Sequence, residues 1–150
     1  MRTLTVLVAS AALVLIGTLE AMESARQIEE TTGPLRLRPG GVGLTALGLV
    51  ASAAVYLGVG WLARSEHVAV RAGLLVGGIA GLTGGVIRAT LIAPAVSDIV
   101  ARYAVVPEWF LVVVMGVFVA GCVAVSLVAG AALAFVGSRF SRGGRSRPPA

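Results

Sequence analysis

Arg88 is the one charge deep inside a long apolar run, about Val68 to Ala93, whose start carries Arg71, and it lies five to six residues before Pro94. At about 1.5 Å per residue, a helical run puts it roughly 7–8 Å from that end. A guanidinium in such a setting is a functional-site hypothesis by default, and it needs a partner. The chemistry on offer is contact with an anion or a lipid headgroup, or a coupling site in a transporter. Two carboxylates could pair with it: Glu20 ends the first apolar run and Glu108 opens the last. The plainer alternatives are a structural ion pair, or a side chain that reaches to the nearby interface.

The same run carries Gly73, Gly77, Gly81 and Gly85 at four-residue spacing, and Ala89 and Ala93 continue the row. Residues at that spacing share one helix face. A row of small residues in lipid lets a second helix approach backbone to backbone. Candidate partners are Gly116-x-x-x-Ala120-x-x-x-Ala124 and Cys122-x-x-x-Ser126-x-x-x-Gly130 in the last run, and Gly48-x-x-x-Ser52 in the second. The row predicts a dimer seam, a permeation path lined by backbone, or tight packing inside one chain. Arg88 follows Gly84 by four residues and Gly81 by seven, so it should face protein more than lipid.

Little else points to chemistry. His67 beside Glu66 could titrate near neutral pH, but it sits alone in what reads as a short polar loop. Glu20, Glu23, Glu29 and Glu30 have no His or Cys cluster beside them, so no metal site is expected. Gly40-Gly41-x-Gly43 follows no strand, and a phosphate-binding loop needs one. No nucleophile elbow or paired catalytic acid is present. The expectation is therefore no catalytic residue, no cofactor and no enzyme activity. Cys122 is the only cysteine and has no intramolecular disulfide partner.

The elements that must position these residues follow from composition. Charged residues make up 13% of the chain, against roughly 25% in soluble domains, and the mean hydropathy is +0.96. The apolar residues form blocks close to the ~20 needed to cross a ~30 Å hydrocarbon core. They predict an all-α integral membrane protein: a four-helix transmembrane bundle within residues 1–137, with helices at about 3–19, 41–63, 68–93 and 109–136. Short loops connect them, Thr31-Thr32-Gly33-Pro34 stops the segment after the first block, and Pro94 closes the third helix. The first block also has the length of a secretory signal, although its small-residue cleavage pattern is poor. Residues 138–150, SRFSRGGRSRPPA, read as a disordered basic tail.

Arginine is the only strongly basic residue type, since the chain has no lysine, and its distribution sets the expected orientation. With both termini in the cytoplasm, Arg2, Arg64, Arg71, Arg139, Arg142, Arg145 and Arg147 lie inside, while Arg26, Arg36, Arg38 and Arg102 lie outside. The positive-inside rule favours that multi-pass arrangement in a cell membrane. The expected partners are the lipid bilayer, a second copy or another membrane protein, and anionic lipid at the basic tail. Nucleic acid is not among them.

Gly77-Gly78-x-x-Gly81 with Gly84-Gly85 and Arg88 resembles the glycine-rich, arginine-bearing helix of small four-helix fluoride channels over about a dozen residues. Those channels also carry a membrane asparagine and a Phe/Thr/Ser-rich helix break; this chain has no asparagine and no such stretch. Small multidrug transporters place a glutamate within the first helix, whereas Glu20 lies at the end of the block. The chain is assigned to neither family. The leading expectation is a non-enzymatic subunit, scaffold or accessory protein that acts through helix association. The alternative is a small transporter or channel with Arg88 and the glycine row at its pathway.

Overall fold

The computed structural model describes residues 3–31, 41–63, 65–103 and 107–143. They form four helices and no strand: α1 (Thr3–Thr31), α2 (Gly41–Trp61), α3 (Glu66–Tyr103) and α4 (Glu108–Gly143). Three contain spans long and apolar enough to cross a membrane, namely Thr3–Glu23, Glu66–Pro94 and Trp109–Ser141. The apolar stretch described in α2, Ala46–Trp61, is shorter. Large apolar side chains such as Leu4, Leu47, Val50, Val112, Val117 and Val125 point outward. Such a surface suits lipid rather than water.

In hydrocarbon every polar group must be satisfied from within the protein. Accordingly, helix hydroxyls bond to their own backbone: Thr18 Oγ1 donates to the Val14 carbonyl (2.7 Å), Thr90 Oγ1 to Ile87 (2.9 Å) and Ser138 Oγ to Phe135 (2.7 Å). Among the described residues, Ser10 Oγ is the one buried side-chain polar atom without a partner.

The helices run up, down, up and down. Ala9 and Leu13 of α1, Tyr56 and Val59 of α2, and Ala72 and Val76 of α3 form one core cluster. α1 packs against α2 and α3, and α4 packs against the same two helices. Among the described residues α1 and α4 do not touch, so they flank the middle of the bundle from opposite sides.

Several boundaries differ from the expected ones. α1 continues past residue 19 to Thr31, as the stretch EAMESARQIEE allows. α2 ends at Trp61 rather than 63. α3 begins at Glu66, because the Ser65 hydroxyl accepts from the Val68 N–H (3.4 Å) and Glu66 sits in the first turn. His67 is therefore an exposed helical residue rather than a loop residue.

Pro94 does not close α3. It ends the apolar span, but the helix continues nine residues to Tyr103 and so includes Asp98, expected in a connection. A membrane helix tolerates proline where neighbours compensate for the freed backbone groups. α4 also passes residue 136 and takes in 138–143, which were expected to be disordered. The reason is packing: Gly137 fits against the Leu57 backbone of α2, and Ser138 and Ser141 are buried. Residues 144–150 of the expected tail, Arg2, Arg64 and the 32–40 connection lie outside the described residues.

Candidate functional site

The glycine row on α3 packs inside the chain. A Cβ added to Gly81 would lie 2.9 Å from both Ser126 Cβ and Val123 Cα, and one on Gly85 would lie 3.2 Å from Cys122 Cβ. Gly73 meets the backbone of Gly130, and Gly77 that of Ser126. Of the two α4 faces open to it, the row takes Cys122-x-x-x-Ser126-x-x-x-Gly130. The other face, with Gly116, Ala120 and Ala124, points outward. The sequence reading missed a second seam, in which Gly60 of α2 meets the Ala134 backbone and Gly137 of α4 meets Leu57. Gly137 fell beyond the expected end of its helix, so its spacing from Gly130 was not read.

Arg88 pairs with Glu20, Nη2 to Oε2. The two residues are 68 positions apart and meet because α1 and α3 run side by side in the same direction. Behind the pair, Gly48 of α2 lies where the Glu20 carboxylate leaves no room for a Cβ. The carboxylate is therefore backed by bare helix on one side and held by the guanidinium on the other. The side chain of Glu108, the other candidate partner, lies outside the described residues.

The pair borders a half-open cavity of about 210 Å³ that all four helices line, with Leu49 and Val125 exposed at its mouth. α1 contributes Leu13, Gly17 and Glu20; α2 contributes Leu49, Ser52 and Tyr56. α3 adds Gly81, Gly84, Gly85 and Arg88, and α4 adds Cys122, Val125, Ser126 and Ala129. The space exists because small residues meet there. A Cβ built on Gly17 or Gly84 would find no neighbouring atom within 4 Å. One end of the cavity is charged, hydroxyls of Ser52, Tyr56 and Ser126 and the Cys122 thiol line its walls, and alkyl groups supply the rest.

Sequence reasoning named Arg88, Glu20, Gly81, Gly84 and Gly85 of this site but not Gly17, Ser52, Tyr56, Ser126 and Cys122 as cavity residues. Ser52, Ser126 and Cys122 appeared only as packing positions, and nothing in the spacing of Tyr56 pointed to a shared space. Among the described residues, no three His, Cys, Asp or Glu side chains group as metal ligands.

Among the described residues, fold and site define an all-helical protein with three helices long and apolar enough to cross a membrane and a charged pair beside a half-open cavity. No protein-family model, curated protein or solved structure matches the chain.

Proposed function

We propose that this chain is a small four-span membrane protein that binds a small solute beside Arg88 and Glu20 and carries it across the bilayer. The observation that carries this reading is the convergence of polar side chains from four helices on one cavity that contains the ion pair. Intramembrane charges are costly, and where they face an interior space they mark solute or ion pathways. An ion pair adds little stability over well-packed apolar side chains, which favours a role for this one beyond packing.

The fourth crossing in this proposal is α2, whose 21 residues span about 31 Å at 1.5 Å per residue. Exposed Trp61 and Trp109, at the end of α2 and the start of α4, suit the two opposite interfaces. The arginine distribution supports an orientation with both termini in the cytoplasm of a cell-membrane protein.

Association with another membrane protein or a second copy is the second reading. The α3 glycine row now supports it less, because α4 occupies that row. Its remaining support is the outward face of α4, where Gly116, Ala120 and Ala124 are exposed.

The test is native mass spectrometry of the protein from mild detergent, comparing wild type with Arg88→Leu and Gly84→Leu. Gly84→Leu fills the cavity without meeting a backbone atom at its Cβ. A small molecule retained by wild type and lost from both variants supports the solute-binding reading. A ligand-free wild type, or a ligand retained equally by all three, overturns it in favour of association.

A further inference from the structure

Resting on the solute-binding reading above, we infer that the ligand is a single-chain amphiphile that enters from the bilayer through a gap between α2 and α4. Its oxygen-bearing head sits on Arg88, and its chain leaves the cavity into lipid.

The gap follows from the neighbours of the two helices. α2 and α4 meet closely where Gly60 lies against the Ala134 backbone and Gly137 against Leu57, and the Tyr56 ring closes this contact at Gly130. Beyond Tyr56 they part. α2 leans on α1, with Gly48 against Glu20, while α4 stays on α3, with Ser126 against Gly77 and Cys122 against Gly85. The cavity occupies the space between them. Leu49 of α2 and Val125 of α4 flank its mouth, 66% and 70% exposed.

Depth decides what meets that mouth. Val125 stands midway along the α4 span Trp109–Ser141, a level at which the surrounding medium is hydrocarbon. Arg88 lies six residues from the end of the α3 span at Pro94, or about 9 Å at 1.5 Å per residue. The charged end of the cavity is thus nearer the membrane surface, and its apolar mouth reaches toward the bilayer centre. An amphiphile in one leaflet has the same polarity, head outward and chain inward. It meets the mouth directly, whereas a polar solute at that depth would first have shed its hydration.

The head follows from the donors. Arg88 carries five N–H groups in a planar fork. Among the described residues it hydrogen-bonds to Glu20 through Nη2, and 34% of its side chain remains exposed where it lines the cavity. The Ser52 and Ser126 hydroxyls line the same space. Such a site suits acceptor oxygens. The cavity measures about 210 Å³. One of about 150 Å³ holds benzene, so a small head and the first few carbons fit, and the rest of the chain emerges between Leu49 and Val125.

The test is native mass spectrometry of the protein released from phosphatidylcholine nanodiscs after addition of monodecanoylglycerol, decane or glycerol. Wild type is expected to retain one monodecanoylglycerol per chain and neither of the other two. Arg88→Leu should lower that occupancy at least about tenfold, and Gly84→Leu should abolish it by filling the cavity. Leu49→Trp, at an exposed position that leaves the fold intact, should also lower it by narrowing the mouth. Equal retention by wild type and all three variants means lipid on the outer surface only and overturns the inference. Equal retention of decane overturns it as well, because the head then plays no part. Retention of glycerol alone overturns entry from lipid and leaves solute binding standing. If no probe is retained while the mild-detergent experiment above still finds a cavity ligand, the inference fails and solute binding stands. If neither experiment finds a ligand, both fail.

Discussion

Gly73 on α3 and Gly130 on α4 approach so closely that a Cβ on either would strike the carbonyl oxygen of the other. The relation is reciprocal and repeats along the seam at Gly77 with Ser126 and Gly81 with Val123. Apolar side chains gain nothing by leaving lipid for one another, so close van der Waals packing is what holds such helices together.

The seam therefore tolerates little added volume. Gly77→Ala puts a methyl group against the Ser126 backbone and should destabilise the protein by about 1–3 kcal/mol. Gly84→Ala, seven residues on, projects into the cavity and should change stability by less than about 0.5 kcal/mol. Thermal or denaturant unfolding in detergent, followed by circular dichroism, checks both. Equal losses at the two positions would mean that the helices are held by something other than this close approach.

Removing one member of the Arg88–Glu20 pair should cost more than removing both. Arg88→Leu or Glu20→Gln alone leaves a half-buried charge without its counter-charge, worth about 3 kcal/mol at fully buried sites and less here. The double variant should be more stable than the sum of the single losses predicts. A double-mutant cycle on unfolding free energies reads the coupling, and strict additivity would mean that the pair contributes nothing.

Gly48 should matter to the site more than to the fold. Gly48→Ala pushes on the flexible end of Glu20 rather than on backbone, so its stability cost should stay below about 1 kcal/mol. The Glu20–Arg88 coupling, measured by the same cycle in that background, should fall. An unchanged coupling would show that Gly48 does not seat the carboxylate.

The ion pair at the far end of α3 and α4 is of a different kind. Arg139 Nε lies 3.8 Å from Glu66 Oε1, its guanidinium stacks 4.5 Å from the Phe135 ring centre, and its side chain is 67% exposed. Exposed pairs and stacked cations contribute modestly, so Arg139→Ala should cost no more than about 1 kcal/mol. The loss should shrink at high salt, because solvent ions screen such a pair. A larger, salt-insensitive loss would point to packing of the arginine stem.

Cys122 offers a built-in reporter of the cavity. It is the only cysteine and lines the space. A thiol reacts with maleimide as thiolate, which requires water nearby. Wild type should be labelled by a small, membrane-permeant maleimide, and Gly84→Leu should slow the reaction at least about tenfold. Labelling at equal rates in both proteins would mean that the reagent reaches Cys122 by another route.

The sequence by itself determined the helical class, the apolar spans and the identity of the small and charged residues. Apolar blocks in lipid have no stable choice but helix, and four-residue glycine spacing puts a bare face on α3 whatever its neighbours are. It did not determine which helix would use that face, because the two candidate rows on α4 share the same local pattern. Nor could it choose between Glu20 and Glu108, since pairing across 68 residues depends on helix order and tilt. Pro94 misled for a related reason: its local preference for ending a helix was overridden by the rest of α3. Residues 138–143 read as part of a disordered basic tail, yet burial of Ser138 and Ser141 and the fit of Gly137 on α2 keep them helical. The cavity belongs wholly to the tertiary structure. It is the volume left where Gly17, Gly84 and their small neighbours from four helices meet, and no single stretch of chain contains it.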